Sequence, residues 1–287
     1  MDRIELQERA IGAPALSTVG PAPAIAWTGI DRTGRVHLAS GAHLARPDGV
    51  TLLDETSRGG PALAADGPLS FLAWTGTDAA GRLVVASSPD GWRNYGKTTA
   101  GVESSRQAPA LVCGEGWLFL AWTGPDARLN VASSNSAGES FPYQITLDER
   151  SDAGPSLAFH GDTLYLLWTG TDLRLNVAST RDHHGLTLGR KVTLDERSRF
   201  APALTSTDRH LLVWTGMDGG LRAFESADVR TFGERRMLGA TSLAGPAVSA
   251  WRGVPVVAWT AEDGWLNVAS LSEAPLPLGA GPVAATP

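Results

Sequence analysis

Cysteine, lysine and long apolar segments are all scarce in this chain of 287 residues. The single cysteine, Cys113, excludes an internal disulfide framework and any metal site built from several thiolates. Lysine occurs only at Lys97 and Lys191, and 24 Lys and Arg against 30 Asp and Glu give a formal net charge of −6. Because no basic run is present, neither a nucleic acid nor an anionic membrane is predicted as a partner.

Further absences concern location and cofactors. No run of about 18 apolar residues occurs, so no membrane-spanning helix is predicted. The chain begins Met1-Asp2-Arg3 without an apolar leader segment, so we expect a cytoplasmic protein, or a secreted one if a leader has been removed. There is no phosphate loop, dinucleotide-binding glycine pattern or zinc spacing, and no cofactor or metal is predicted. The oligomeric state is left open.

A repeat of about 46 residues runs through the whole chain. Its marker is a Trp followed by Thr, with an Asp four residues after the Trp. The marker tryptophans are Trp27, Trp74, Trp122, Trp168, Trp214 and Trp259. Each repeat divides into four short segments rich in Val, Thr, Tyr and Leu, separated by turn residues and without helical periodicity. Four strands per repeat is typical of a propeller blade, so we predict an all-β, six-bladed β-propeller of four-stranded antiparallel blades, forming one domain over residues 1–287.

Two segments compete for the outer strand of the last blade. Residues 3–9 resemble the fourth strand of the other repeats and precede the first complete repeat. Residues 272–287 occupy the same place in the repeat order, as an extra strand or a disordered tail. The first segment matches better, so we predict that it closes the ring and removes the exposed sheet edges.

A second motif follows the third strand of several repeats. Residues 134–141 read Ser-Asn-Ser-Ala-Gly-Glu-Ser-Phe, and looser copies begin at Ser88, Thr180 and Ser226. These segments resemble the Asp box, Ser-x-Asp-x-Gly-x-Thr-Trp, of sialidase-like propellers. A carboxylate in such a turn is expected to accept backbone N–H groups, while Gly takes a positive φ and the aromatic packs beneath the hairpin. The resemblance implies that these turns lie on the face opposite the ligand site.

The resemblance to sialidases does not extend to their reaction. That family opens with a Phe/Tyr-Arg-Ile-Pro motif, which is missing here, and uses a Tyr–Glu nucleophile pair. The three tyrosines of this chain, Tyr95, Tyr143 and Tyr165, lie beside Asp-box-like turns or within a strand. Sialidase activity is therefore not predicted, and binding is favoured over catalysis.

The repeated Trp and Asp allow two interpretations. In the first, each Trp fills the space between neighbouring blades and each Asp caps the turn that follows. In the second, they belong to a ring of equivalent sugar sites, because the chain also resembles fucose-binding propeller lectins, which place Trp, Arg and acidic residues between blades. That resemblance makes Arg128, Arg174 and Trp265 candidate ligand residues. It implies a lectin-like protein with several weak sites that gain affinity through avidity.

The loop entering each repeat carries constant and variable positions. Six residues before the first Pro of the repeat stands a Glu in five of six cases, and four residues before it a Ser in five of six. We expect both to hydrogen-bond within the loop. The residue three before the Pro varies strongly in charge. This variable slot holds Ile11, Arg58, Arg106, Asp152, Arg199 and Leu243.

The variable slot is predicted to lie at one mouth of the central channel. Guanidinium groups that converge there would bind a carboxylate, phosphate or sulfate, with Phe200 and Gln107 as pocket walls. The plainer expectation is that these arginines pair with the loop glutamates. An enzyme with a single pocket for an anionic or glycosidic small molecule is the alternative to the lectin, with Asp152, Glu149 and Glu103 as its carboxylates. A protein-interaction scaffold is a second alternative.

Overall fold

The computed structural model describes residues 3–18, 23–31, 33–41, 49–184 and 186–271. Within these ranges the chain folds into 23 β-strands and contains no helix, which confirms the all-β class. It follows that the described part holds no helix able to cross a membrane. The segment 272–287, considered above as an extra strand or disordered tail, lies outside the described residues.

Four of the sheets have four antiparallel strands each, joined in chain order. The first contains β5 (Ala62–Asp66), β6 (Leu69–Thr75), β7 (Arg82–Ser88) and β8 (Gly96–Ser104), and the second β9 (Ala110–Gly114), β10 (Trp117–Thr123), β11 (Arg128–Ser134) and β12 (Tyr143–Arg150). The third contains β13 (Ser156–His160), β14 (Thr163–Thr169), β15 (Arg174–Thr180) and β16 (Val192–Arg197), and the fourth β17 (Ala203–Ser206), β18 (His210–Thr215), β19 (Gly220–Ser226) and β20 (Arg236–Thr241). Each sheet corresponds to one sequence repeat.

The remaining strands form one sheet of seven, in the order β21-β22-β23-β1-β2-β3-β4. Its strands are β1 (Arg3–Ser17), β2 (Ala24–Gly29), β3 (Arg35–Ser40), β4 (Gly49–Thr56), β21 (Ala247–Trp251), β22 (Val254–Thr260) and β23 (Trp265–Ser270). The 15-residue β1 has two partners. Its first part pairs with β23, with Ile4 opposite Val268, and its last part pairs with β2, with Leu16 opposite Ile25. One long strand thus connects the first repeat with the last.

Each marker Trp is buried between its own repeat and the one before it. All six expose 1% of their surface or less. Trp122 packs with Phe71 and Leu83 of the preceding repeat, and Trp27 packs with Val256 and Leu266 of the last repeat. The predicted packing role of Trp is confirmed. Burying 150–250 Å² per side chain corresponds to a transfer free energy of about 4–6 kcal/mol each.

The Asp after each Trp caps its turn, as predicted. The Oδ1 atom of Asp126 accepts the backbone N–H of Arg128 at 3.0 Å, and that of Asp263 accepts the N–H of Trp265 at 3.2 Å. The backbone N–H of Arg82 in the same way holds the pKa of Asp78 below its ordinary value. The turn also needs a left-handed residue, which is Gly34, Gly81, Gly219 and Gly264 in four repeats but Ala127 and Leu173 in two.

The turns after the third strands have the hydrogen bonds expected of their carboxylates. The Oδ1 atom of Asp228 accepts the backbone N–H groups of Arg230 and Thr231 at 2.9 and 2.8 Å. Gly138 has a φ of 81°, and Trp92 is buried beneath its hairpin. These turns are therefore rigid, self-satisfied elements of the fold.

Candidate functional site

One hydrogen-bond pattern holds all six entry loops. The Thr after each marker Trp donates its hydroxyl proton to a carbonyl of the next entry loop, at 2.6–2.8 Å. The pairs are Thr28–Gly59, Thr75–Gln107, Thr123–Ala153, Thr169–Phe200, Thr215–Ala244 and Thr260–Gly12. Because the last pair joins the final repeat to the first, every loop is fixed by its neighbour.

The buried loop Ser completes this arrangement from within the loop. Ser151 Oγ shares its one proton between the carbonyl oxygens of Thr169 and Ala153, at 2.7 and 3.0 Å, and accepts the N–H of Ala153 at 3.0 Å. Ser105 makes the equivalent bonds to Thr123 and Gln107. The expected role of Ser in loop hydrogen bonding is confirmed. The residues of the variable slot are consequently mounted on a rigid backbone.

The six entry loops surround a cavity of about 410 Å³. Six of the predicted ligand residues line it, and its remaining wall is mostly Gly, Ala and Pro. The six are Arg58, Arg106, Gln107, Asp152, Arg199 and Phe200. The other three, Arg128, Arg174 and Trp265, do not line this cavity. The structure thus brings five of the six residues of the variable slot around one opening, and Ile11 does not line it.

Close backbone contacts define the cavity wall. A Cβ on Gly60 would lie 2.2 Å from the carbonyl oxygen of Ala13, and one on Gly154 would lie 2.3 Å from that of Ala108. Only glycine fits at such a distance. The residue before the repeat's first Pro alternates Ala and Gly around the ring, a sequence signal of this close packing that the repeat analysis above missed.

The charged groups at the cavity differ in how they are bound. The Nε atom of Arg58 donates to the carbonyl of Gly76 at 3.1 Å, and its Nη2 atom donates to the carbonyl of Asp78. Among the described residues, the side chains of Arg106 and Arg199 make no recorded hydrogen bond or ion pair. Neither does the carboxylate of Asp152, whose backbone carbonyl accepts Gln107 Nε2 at 2.6 Å. Two guanidinium groups and one carboxylate are therefore available to a ligand.

The loop glutamates bond elsewhere. Glu149 accepts Lys191 Nζ at 2.7 Å, and Glu103 accepts Gln144 Nε2 at 3.0 Å. Each bond joins an outer strand to the next repeat instead of forming within the loop. Neither glutamate lines the cavity beside Asp152. A catalytic role for Asp152 together with Glu149 or Glu103 therefore stays a prediction. The sequence contains a regular signal for these bonds between repeats, because a polar or basic residue stands about 40 positions after each bonded glutamate.

The lectin-type candidates lie across outer strand pairs. Arg128 Nη2 lies 2.6 Å from Asp148 Oδ1, and Arg174 Nη2 lies 3.0 Å from Asp195 Oδ1. The guanidinium carbon of Arg9 lies 5.3 Å from the centre of the Trp265 ring. Each candidate thus already has a protein partner, and both aspartates are almost fully exposed.

The other reactive groups offer little chemistry. Burial raises the pKa of the Cys113 thiol to about 12, so this cysteine is neutral and a poor nucleophile. Within the described ranges no cluster of three His, Cys, Asp or Glu side chains is arranged to hold a metal ion. The cavity itself offers guanidinium, carboxylate and amide groups, which form charge-assisted hydrogen bonds.

Comparisons with known proteins place this geometry in a fold. No protein-family model and no curated sequence matches the chain. A solved structure of the Hadza microbial sialidase Hz136 superposes with a TM-score of 0.67 at 13% identity, covering 93% of this chain and 66% of that one. The protein is a β-propeller. This propeller spans just under two thirds of the sialidase.

Lectins of the same fold also superpose on it. The BP39L lectin from Burkholderia pseudomallei has a TM-score of 0.65 at 18% identity, covering 88% of this propeller and 78% of the lectin. A mutant of the Aleuria aurantia lectin, in complex with alpha-methyl-L-fucoside, has a TM-score of 0.61 at 12% identity and covers 98% of this propeller and 99% of the lectin. At these identities the likeness shows the fold alone.

Proposed function

We propose that this propeller binds carbohydrate and that its principal site takes an anionic sugar in the central cavity. The observation that carries the proposal is the pair of guanidinium groups of Arg106 and Arg199, without a protein partner in the described part of the chain, beside the carboxylate of Asp152. A guanidinium group binds a carboxylate or phosphate through two parallel hydrogen bonds. Asp152 and Gln107 are suited to the sugar hydroxyls.

The size and rigidity of the cavity support this assignment. Its volume of about 410 Å³ falls at the small-ligand end of the range of binding pockets. The Thr and Ser hydrogen bonds hold the loops in place before a ligand arrives, so little ordering cost is added on binding. We assign binding rather than catalysis, because the second carboxylate that glycoside cleavage needs is bound to Lys191 or Gln144.

The proposal includes a single domain of six blades closed by β1. Four blades are separate four-stranded sheets, and the seven-stranded sheet supplies two more if β1 serves as outer strand of the last blade and inner strand of the first. The bond from Thr260 to Gly12 and the packing of Trp27 on Val256 support the same closure. Six blades then carry six entry loops to one mouth.

Titration calorimetry with glucuronic acid, galacturonic acid and glucose tests the site. We expect one anionic sugar per chain, and at least tenfold weaker binding after Arg106→Gln or Arg199→Gln. Arg209→Gln, which removes an exposed arginine on the hairpin between β17 and β18, serves as the matched control. Equal affinity for glucose and its acidic relatives, or unchanged binding by both cavity variants, would contradict the proposal.

A second candidate function is multivalent lectin binding at repeated outer sites. Three repeats carry the same Arg–carboxylate pair, namely Arg35–Asp54, Arg128–Asp148 and Arg174–Asp195. Such pairs bind vicinal hydroxyls through both partners. A glycan-array hit would be followed by calorimetry to count the ligands per chain. Several ligands per chain, with binding lost after Arg128→Gln and Arg174→Gln, would favour this function over the central site.

A further inference from the structure

A groove of about 970 Å³ lies apart from the central cavity, beside the third four-stranded sheet. Its floor includes Thr163 and Tyr165 of β14 and the end of β15, and its sides are residues 189–193 and the 228–230 turn of the next sheet. None of these residues lines the central cavity. The groove is therefore a separate feature between two neighbouring repeats.

The outer strand of this sheet begins late, as does that of the next sheet. The pairing of β16 with β15 stops at Val192 opposite Val177. In the preceding sheet the same ladder continues to Tyr143 opposite Ser133. On that side the end of β15 accepts one backbone bond, from the N–H of Gly189 to the carbonyl of Ser179 at 2.8 Å, while on its other side it pairs with β14. The shorter ladder leaves open the space that the outer strand fills in the preceding sheet.

Four cationic side chains line the groove, and two of them are compensated. They are Arg181, Arg190, Lys191 and Arg230. Arg181 Nε lies 3.0 Å from Asp162 Oδ1, and Lys191 Nζ lies 2.7 Å from Glu149 Oε1. Arg190 and Arg230 are exposed, and the described residues provide neither with a recorded ion pair or side-chain hydrogen bond.

The lining contains one carboxylate, that of Asp228. Its Oδ1 atom accepts the backbone N–H groups of Thr231 and Arg230, which together with the nearby charge of Arg230 hold its pKa below the ordinary value. Four cationic side chains thus stand against one carboxylate in this lining, an excess of donors that is complementary to a group rich in acceptor oxygens.

Tyr165 adds a neutral donor to this wall. Its ring is half-buried and packs against His210, with ring centres 5.6 Å apart. Burial raises the pKa of its phenol, while the charges of Arg181 and Arg230 act in the opposite direction. The hydroxyl group therefore keeps its proton at neutral pH, and no hydrogen bond to it is recorded within the described ranges.

We propose that this groove binds a phosphate or sulfate ester, with Arg190 and Arg230 contacting the anionic oxygens and Tyr165 donating a further hydrogen bond. The groove is large enough for the sugar or other polar group that carries the ester. This inference stands independently of the central site, because the two sets of residues do not overlap.

The test uses a protein whose central site has been disabled by Arg106→Gln and Arg199→Gln. Calorimetry on this double variant measures the groove alone, with glucose 6-phosphate and glucose 6-sulfate as the probes. We expect one ester per chain, and about tenfold weaker binding when Arg190→Gln and Arg230→Gln are added. Adding Arg209→Gln instead should leave the affinity unchanged, and thermal melts check that every variant is folded.

The two probes also separate the possible esters. A phosphate monoester gains its second charge near pH 6, so its affinity should rise across that pH whereas that of the sulfate should not. Tighter binding of either ester supports the groove. The inference is overturned if the double variant binds neither ester, or if removing Arg190 and Arg230 changes nothing. Because the central variants are tested separately, failure here leaves the proposal for the cavity standing.

Discussion

Two regions of the molecule differ in how much the amino acid varies from repeat to repeat. They are the layer between repeats, which the marker Trp and the following Thr occupy, and the rim of the cavity, which the variable slot occupies. Between the repeats, Trp and Thr stand at the same positions six times, and their side chains are buried. At the rim, the variable slot holds Arg three times and Asp, Ile and Leu once each. Because both regions occur in every repeat, the chain provides its own comparison, and departures from the repeat mark where we propose that one ligand is recognised.

The physical reason for the difference is exposure. A buried Trp contacts two repeats, so any replacement leaves a cavity. Ile11 and Leu243 at the rim remain 42% and 52% exposed, and the loops that carry the slot are held through their backbone. The variable slot therefore tolerates side chains of different size and charge, and we propose that its composition follows the ligand.

The largest effect is expected from removing a Trp between repeats. Trp168→Ala should lower the free energy of unfolding by about 3–5 kcal/mol, because the buried indole packs between its own repeat and the preceding one. Denaturant unfolding measures the change, and the half-buried Trp251→Ala is the comparison. A loss of less than about 1 kcal/mol would show that this layer adapts far more easily than its burial indicates.

Adjacent glycines at the rim provide a second, smaller contrast. Gly60→Ala should cost about 1–3 kcal/mol, since its Cβ would lie 2.2 Å from the carbonyl of Ala13. Gly59→Ala, whose Cβ would meet nothing within 4 Å, should cost less than about 0.5 kcal/mol. Thermal unfolding of the two variants measures the difference. Equal losses of stability would contradict the close contact between Gly60 and the carbonyl of Ala13.

One turn has Ala where most repeats have Gly at the left-handed position. A substitution there tests whether glycine makes this turn more stable. Ala127 has a φ of 66° where four other repeats have Gly. Ala127→Gly should stabilise the protein by about 0.5 kcal/mol, because relief of backbone strain exceeds the added entropy of the unfolded chain. Ala79→Gly, in the turn of the first four-stranded sheet, should destabilise instead. A melting temperature that falls in both variants would refute the strain argument.

The smallest effect on stability is expected at the rim arginines. Arg106→Gln and Arg199→Gln should change the free energy of unfolding by less than about 0.5 kcal/mol, since neither guanidinium group bonds within the described structure. Denaturant unfolding measures this change. Unchanged stability together with weaker sugar binding would show that the rim arginines, unlike the buried tryptophans, do not stabilise the fold. A stability loss above about 1 kcal/mol would place these side chains in the fold and not in the site.

Much of this architecture could be predicted because it repeats. The Trp spacing predicted the β-strands, the packing of Trp between repeats and the capping by Asp. Equivalent loops of a propeller meet at one opening, so the convergence of Arg106, Asp152 and Arg199 was predictable as well.

The features that escaped prediction depend on contacts between neighbouring repeats. The glutamates bond to residues about 40 positions later, a distance at which pairing is set by how two sheets pack. Glu149 was accordingly assigned to its loop although it binds Lys191. The groove beside β16 also escaped prediction, because no residue type marks where that outer strand begins.

The two partners of β1 impose an order on how the protein is made. Arg3 Nε donates to Asn267 Oδ1 at 2.6 Å across a separation of 264 positions. At a synthesis rate of 5–20 residues per second, the ribosome delivers that partner roughly 15–50 s after β1 emerges. Throughout that interval the first half of β1 is an unprotected strand edge, and its alternating charges, Arg3, Glu5 and Arg9, discourage pairing with another nascent chain. The pairing of β1 with β23 is thus the strand pairing that synthesis permits last.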